Sequence, residues 1–431
     1  MAERTETFEI LESPIHAAKI KVIGVGGAGG NAVEHMINRK VTGIEYYCAN
    51  TDAQALGLLS VTNKFQLGSK ITRGLGAGAD PDVGRAAALE DREQIAEILQ
   101  GADMVFIAAG MGGGTGTGAA PVIAEVARDM GVLTVAVVNR PFPFEQRKRI
   151  SVAEKGVLDL ARHVDSLIIV PNAKLLEVLP PDTTIIKAFE AANDVLHDAV
   201  KGISDIITKP GHINVDFADV KTVMSKRGMA MMGTGIASRD DSNPGGAAAR
   251  AAISSPLLEN IDISSAGGIL INVSGGEHLT LSDLTAVGEV TREVCDLDDD
   301  MLISGMVVDP ELGDKVQVTL VATGLWGKAF QTDGLEEAGS EQSPRDEQTR
   351  DPQRPGRRPS VQGGAGAGMR QGARDQEKAR DLRGKSTERQ REAASAEPVA
   401  LDRAKAKKAG NEGPPNLDYL DIPAFLRWNV D

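Results

Sequence analysis

Two sets of residues in this chain could do chemistry. The first is glycine. Residues 104–120 read Met-Val-Phe-Ile-Ala-Ala-Gly-Met-Gly-Gly-Gly-Thr-Gly-Thr-Gly-Ala-Ala. Met104–Ala109 predicts a buried strand, Gly110–Gly118 a loop, and the spacing of Val122, Ile123, Val126 and Met130 a helix opened by Pro121. Residues without Cβ let backbone N–H groups approach phosphate oxygens, and a helix N-terminus adds positive potential. A tight turn explains most lone glycine clusters. Five glycines and two threonines in Gly112–Gly118, at the end of a buried strand, favour a phosphate cradle. Gly24-Val25-Gly26-Gly27-Ala28-Gly29 fits GxGxxG between a strand, Lys19–Val25, and a helix, Ala32–Arg39. A third glycine-rich loop spans Arg73–Pro81.

The second set is acidic. Asn214, Asp216 and Asp219 form a short loop after a long helix. Carboxylates are poor phosphate ligands, so they do not belong in a phosphate pocket of their own subunit. A solvated turn, or a helix N-cap at Asp216, is the plainer reading of the same residues. GxGxxG alone also suits an NAD(P)-dependent Rossmann oxidoreductase, the competing function. Against it, Asp52 follows a turn and Glu45 lies inside the second strand, so the ribose-binding carboxylate is not clearly placed. The pattern GxxxxGK[ST] is missing; Gly384-Lys385-Ser386 has Ala379 where the first glycine should stand.

The elements that position these loops are strands and helices in alternation. Further strands are predicted at Ile44–Ala49, Phe65–Leu67, Leu133–Val138 and Ser166–Val170, and helices at Val83–Leu99 and Ile150–Ala161. Strands apolar throughout point to a parallel sheet covered on both faces, with ligands at the carboxyl ends. Thr183–Thr208 is amphipathic at helical spacing and stops at Lys209-Pro210-Gly211. Beyond a helix near Phe217–Ser225 come Gly233-Thr234-Gly235-Ile236-Ala237, helices at Gly246–Ile253 and Ser282–Val294, and strands at Gly268–Val273, Leu302–Val308 and Lys315–Thr323. The fold class is α/β: an N-terminal Rossmann-like parallel-sheet domain, a long central helix and a C-terminal α+β domain. The expected divisions are 1–18 polar tail, 19–182 nucleotide domain, 183–228 central helix and acidic loop, 229–325 C-terminal domain, 326–412 linker and 413–431 peptide.

Composition narrows the function. The chain has 431 residues and a formal charge of −14. Residues 331–412 contain no aromatic residue and hold 17 Lys and Arg against 15 Asp and Glu, so the acidity lies elsewhere. Such a segment cannot bury enough surface to offset its ordering entropy, and a disordered linker is expected. An acidic folded part argues against direct nucleic-acid binding. Cys48 and Cys295 have no metal-ligand spacing, so no metal site is expected, and a reduced cytoplasmic setting is. No signal peptide or apolar run of about 18 residues is present, so no direct membrane insertion is expected. Leu417, Tyr419, Leu420, Ile422, Pro423, Phe425, Leu426 and Trp428 restore apolar character after the linker and read as a motif that orders on a partner.

Gly112–Gly118 matches the tubulin-type signature loop, and the chain resembles the FtsZ family of bacterial, tubulin-like division GTPases. The resemblance runs from Lys19 to Leu325 and resumes at Leu417–Arg427. It includes Gly27–Asn31, Arg73–Pro81, Asn139–Arg149, Val170-Pro171-Asn172, Phe189–Leu196 and Asn214–Asp219; Ala28 stands where many relatives have glycine. It implies GTP or GDP with Mg²⁺. Gly27, Ala28, Gly29, Gly30 and Asn31, with Gly112, Gly114, Thr115, Gly116 and Thr117, would wrap the phosphates. Gly76 and Ala77 would lie over the γ-phosphate. Glu145 and Arg149 would sit near ribose and phosphates, where an (i, i+4) ion pair is the plainer reading. Asn172 and Asn193 would read guanine, and Phe189 would stack on it or fill the core. The resemblance further implies that Asp216 and Asp219, assisted by Asn214, act in the next subunit's site of a head-to-tail homopolymer. Leu417, Asp418, Tyr419, Leu420, Ile422, Pro423, Phe425, Leu426 and Arg427 would bind membrane-tethering adaptors and regulators of the FtsA, ZipA, Min and nucleoid-occlusion types, at midcell on the inner face of the membrane.

Overall fold

The computed structural model describes residues 18–209, 215–226, 228–258, 263–294 and 301–325. The expected linker, the partner peptide, Asn214 and most of the N-terminal tail lie outside these residues.

The first half alternates as expected. In order come β1 (Ile20–Val25), α1 (Gly26–Asn38), β2 (Ile44–Asn50), α2 (Ala53–Leu58), β3 (Asn63–Gln66), α3 (Ser69–Thr72), α4 (Pro81–Glu90), α5 (Arg92–Leu99), β4 (Met104–Gly110), α6 (Thr115–Asp129), β5 (Leu133–Arg140), α7 (Arg147–Ala161), β6 (Ser166–Pro171) and α8 (Asn172–Val178). The central helix is α9 (Ile185–Thr208). Then follow α10 (Phe217–Met224), β7 (Met229–Ser238), α11 (Pro244–Ile253), β8 (Gly268–Gly275), α12 (Leu281–Val294), β9 (Leu302–Val308) and β10 (Lys315–Leu325).

The strands form one sheet in the order β3-β2-β1-β4-β5-β6-β7-β10-β8-β9. The pairs from β3 through β6 are all parallel. β10 runs antiparallel to both β7 and β8. In the sheet the two halves pair at Leu167 with Met229 and Ile168 with Ala230. Every β4 residue from Met104 to Ala109 is buried, because helices cover both faces. One core lies under α1 and α9, with Phe106, Val135, Leu196 and Ile203. A second lies on the opposite face under α4 to α7, with Ile107, Ile123, Val138 and Leu160. A third fills the β7–β10 half.

Four local expectations are corrected. α6 begins at Thr115, so Pro121 lies inside the helix rather than opening it. α1 likewise absorbs the glycine loop and starts at Gly26. The predicted helix 83–99 is two helices that break at Asp91. β7 was not expected as a strand, because Met229–Ala237 carries two glycines. They serve packing: a Cβ at Gly233 would meet the Ala252 carbonyl oxygen at 2.0 Å, and one at Gly235 the Ala248 carbonyl oxygen at 2.1 Å. α11 therefore lies directly on the β7 backbone.

Candidate functional site

β1 and β4 are adjacent and in register, Val25 opposite Ala109, so the loops that leave them emerge side by side. They interlock through glycine. A Cβ at Gly26 would stand 2.9 Å from the Gly116 nitrogen, and one at Gly29 2.3 Å from the Ala108 carbonyl oxygen. A Cβ at Gly110 would meet that of Ala28 at 2.6 Å. Ala28 itself is absent from the left-handed region, so alanine is tolerated there without strain. Gly112 has φ +98° and lies against Pro141 and the Arg149 main chain, which joins the 141–149 segment to the cradle. The Gly112 N–H donates to the buried Thr117 hydroxyl at 2.9 Å, so this threonine shapes the loop from within.

Both helices that begin in the cradle lack side-chain caps. α1 is preceded by Val25 and α6 by Gly114, and neither has an acidic residue in its first turn. Of the other helices of this half, α2 and α4 are capped, with Asp52 accepting from Gln54 and Ala55 and Asp80 from Asp82, while α3, α5, α7 and α8 are not. Two uncapped N-termini at one sheet edge make an anion site. The 73–80 loop borders it. A Cβ at Gly114 would contact Ala77 Cβ at 2.8 Å and the Asp80 nitrogen at 2.9 Å. Gly76 is half-buried, and Arg73 and Ala79 hold positive φ.

The neighbouring strand ends supply amides and an aromatic cluster. Asn172 follows β6 and is 3 % exposed, yet its Oδ1 has no hydrogen-bond partner. Asn139, at the end of β5 opposite Val170, has the same unmet Oδ1. A buried amide oxygen without a partner costs about 1–3 kcal/mol, so the pair marks where a donor-bearing ligand fits. Asn139 was not singled out from the sequence; its signal was a polar residue ending an apolar strand. Phe189, in the first turns of α9, meets Phe142 edge-to-face at 5.2 Å and Phe144 at 6.5 Å. It is packed against the core, and the exposed ring of this cluster is Phe144. Asn193 lies one turn further along α9 and is half-exposed, as is Asn31 on α1. Glu145 precedes α7; it accepts from the Phe142 N–H at 2.9 Å and pairs with Arg149 at 3.2 Å. Beside Asn193, Asp194 is held below the usual carboxylate range. Burial opposes the shift, but the His35 hydrogen bond and the Arg39 charge outweigh it.

The acidic residues lie elsewhere. α9 starts beside Phe142 at the carboxyl edge, and its 24 residues span about 36 Å. It ends where Thr208 abuts Gly43, just before the amino end of β2. Val215 returns to the last turns of α9: a Cβ at Gly305 would touch both Ile206 and Val215. The Ser166 hydroxyl, at the amino end of β6, donates to the Met224 carbonyl at 2.7 Å, which fixes α10 at that edge. Asp216 and Asp219 head α10 and are exposed. Asp216 occupies the N-cap position but its side chain makes no cap hydrogen bond. The cradle and the acidic residues therefore sit at opposite ends of the sheet.

A parallel sheet, interlocked glycine turns and two uncapped helices define a phosphate-binding α/β protein with the tubulin-like plan. The profile described as Tubulin/FtsZ family, GTPase domain, matches residues 19–180, and FtsZ family, C-terminal domain, matches 228–326. A cell division protein FtsZ from Azotobacter vinelandii is 50 % identical over 436 residues, covering 98 % of this chain and all of that protein. An empty FtsZ dimer from M. jannaschii is 44 % identical with a TM-score of 0.68, covering 71 % of this chain and 88 % of that one. CetZ2 from Haloferax volcanii, a GTPγS-bound protofilament, shares the fold at 21 % identity and a TM-score of 0.60, over 72 % of this chain and 93 % of that one. The chain belongs to the FtsZ family. It is a GTP-binding, GTP-hydrolysing cell-division protein that polymerises, and the oxidoreductase alternative falls away. Among the described residues no helix is long and apolar enough to cross a membrane.

Proposed function

We propose that GTP bound in the glycine cradle is hydrolysed by carboxylates of a second copy docked head to tail. One observation carries this reading: Asp216 and Asp219 occupy the sheet edge opposite the cradle of their own subunit. The carboxylates near the cradle are already engaged. Glu145 pairs with Arg149, while Asp52 and Asp80 cap helices.

In this mechanism the N–H groups of residues 27–31 and 112–117 hold the phosphates, and Gly76 and Ala77 cover the terminal one. Arg149, oriented by Glu145, adds positive charge. Asn172 and Asn193 read the guanine edge beside the Phe189 cluster. Asp216 and Asp219 of the incoming subunit, with Asn214, orient a water for in-line attack on the γ-phosphorus. The β–γ bridging bond breaks, releasing GDP and phosphate. Among the described residues no cluster of three or more His, Cys, Asp or Glu could hold a metal. Mg²⁺, where bound, would offset the charge of the triphosphate. The contact is heterologous and open, so it builds filaments. Residues 19–182 bind nucleotide, 183–228 carry the helix and acidic loop, and 229–325 form the C-terminal part. The 326–412 linker frees the 413–431 peptide to reach membrane adaptors at midcell.

Mixing subunits tests the shared site. Asp219→Ala leaves GTP binding intact and lowers turnover on the order of 10²-fold or more. Arg149→Glu weakens binding but keeps the acidic end. An equimolar mixture should hydrolyse GTP faster than the sum of the two variants measured alone. A mixture no faster than that sum sinks the shared-site reading.

A further inference from the structure

We infer that Thr51 is a positioning residue that ties the start of α6 to the 73–80 loop; the inference rests on the nucleotide reading of the cradle. Thr51 follows β2 and is 0 % exposed. Its hydroxyl oxygen lies 2.6 Å from that of Thr115, the first residue of α6. Its carbonyl faces the other way, accepting from the Gly76 N–H and from the Thr72 hydroxyl, each at 3.2 Å. The next two residues continue the attachment. Asp52 forms a β-bridge with Leu75, and the Ala53 N–H donates to the Gly74 carbonyl at 3.0 Å.

Residues 51–53 are therefore a main-chain edge on which the 73–80 loop hangs, and the Thr51 side chain links that edge to the cradle. The loop needs such an anchor. Arg73 and Ala79 have positive φ and Leu75 is 82 % exposed, and the loop's own ties are short turns, Leu75 N–H to the Thr72 carbonyl and Asp80 N–H to the Ala77 carbonyl. On its other side the loop touches the same helix start, through Ala77 and Asp80 against Gly114.

Hydrogen-bond polarity gives the link a direction. A threonine hydroxyl has one proton and two acceptor sites. Only one proton lies between Thr51 and Thr115, and either residue can supply it. A phosphate oxygen at the α6 N-terminus accepts but cannot donate, so it draws the Thr115 proton to itself. Thr51 must then donate to Thr115. Occupancy of the cradle thus fixes the Thr51 hydroxyl, and the Thr51 main chain carries that order to Gly74–Gly76.

Amide hydrogen exchange of the full chain, with and without saturating GTP, reads the link directly. In the wild type GTP should slow exchange in both 26–31 and 74–80. Thr51→Val keeps the shape and removes the hydroxyl. It should retain protection at 26–31 and lose most of it at 74–80, with GTP binding about tenfold weaker. Thr51→Ser should restore both. Thr115→Val cuts the same hydroxyl pair from its partly exposed side and should also uncouple 74–80 if Thr51→Val does not fold. In the Thr115→Val background, Thr51→Val should have no further effect. Protection of both segments in Thr51→Val overturns the inference, as does failure of serine to rescue. Absence of protection at 26–31 in the wild type would instead overturn the nucleotide reading.

Discussion

The two ends of the sheet solve opposite problems with opposite materials. The carboxyl end is built from main chain: glycines packed backbone to backbone, uncapped helix starts and buried amide oxygens without partners. The amino end presents exposed carboxylates on a short helix. Main-chain N–H groups bind phosphate but cannot orient water; carboxylates orient water but repel phosphate. Placing both in one pocket would weaken binding. α9, about 36 Å long, runs from one end to the other, and in the proposed mechanism each subunit would supply only half of a site. On the proposed mechanism this couples turnover to assembly, because the site would be completed only at a contact between copies.

The comparison predicts that the two ends fail differently. The largest effect should come from Gly118→Ala, because its Cβ would stand 1.9 Å from the Pro81 carbonyl oxygen and 2.6 Å from the Arg85 nitrogen. Backbone faces backbone there, so no side chain can yield. Thermal unfolding should show a loss of about 3 kcal/mol, the upper range for overpacking, together with lost GTP binding. A stable, GTP-binding Gly118→Ala protein would mean the cradle is not rigid. Asn172→Ala should be milder. It removes a buried oxygen with no partner in the empty protein, so stability should hardly fall. GTP affinity should drop by about tenfold, the value of a hydrogen bond to a ligand. Titration calorimetry showing equal affinity would remove Asn172 from the site.

Much of this was legible in the sequence because it is written in residue type. Apolar runs gave nine of the ten strands, and glycine clusters located the cradle. β7 was illegible because its glycines answer to a helix packed across it, a tertiary cause with no local signature. The start of α6 was misplaced for a similar reason. Proline normally opens a helix, and only the structure shows Thr115–Ala120 already wound ahead of Pro121. For Glu145 and Arg149 the (i, i+4) ion pair is present, but Glu145 precedes α7, so only Arg149 is helical, and the glutamate side chain is buried. Charge alone already argued that Asp216 and Asp219 keep out of their own subunit's cradle, but the sheet edge they occupy depends on the direction of α9 and was not legible. The buried, unmet oxygens of Asn139 and Asn172 could not be read from residue type at all.

The smallest expected effect is electrostatic and again differs along α9. Toward the carboxyl end of α9, Lys201 donates to Asp309 at 2.8 Å and pairs with the 1 %-exposed Asp205 at 3.2 Å. Burial lowers the Lys201 pKa, but Asp309 and Asp205 together raise it above the ordinary lysine value. Burial raises that of Asp309, but Lys201 more than reverses this and holds the carboxyl low. Toward the start of α9, Asp194 is held low by His35 and Arg39 at the far end of α1, but its side chain is 43 % exposed. All three shifts favour the charged forms in the folded state. The carboxylate contributions are therefore complete above the unfolded pKa, about 4, and are lost as pH falls through the lower folded values. The lysine contribution is complete below about 10.4 and is lost as pH rises past its raised folded value. Asp194→Asn should cost about 1 kcal/mol or less near neutrality, given its exposure, and the cost should shrink as pH falls below ~4. Asp309→Asn should cost more, because it leaves a largely buried lysine with a weakened partner. Melting curves of both variants against wild type from pH 3 to 8 (a range in which only the carboxylate contributions change) would measure the two costs side by side. Equal costs at neutral pH would show that burial does not distinguish the two ends of α9 after all.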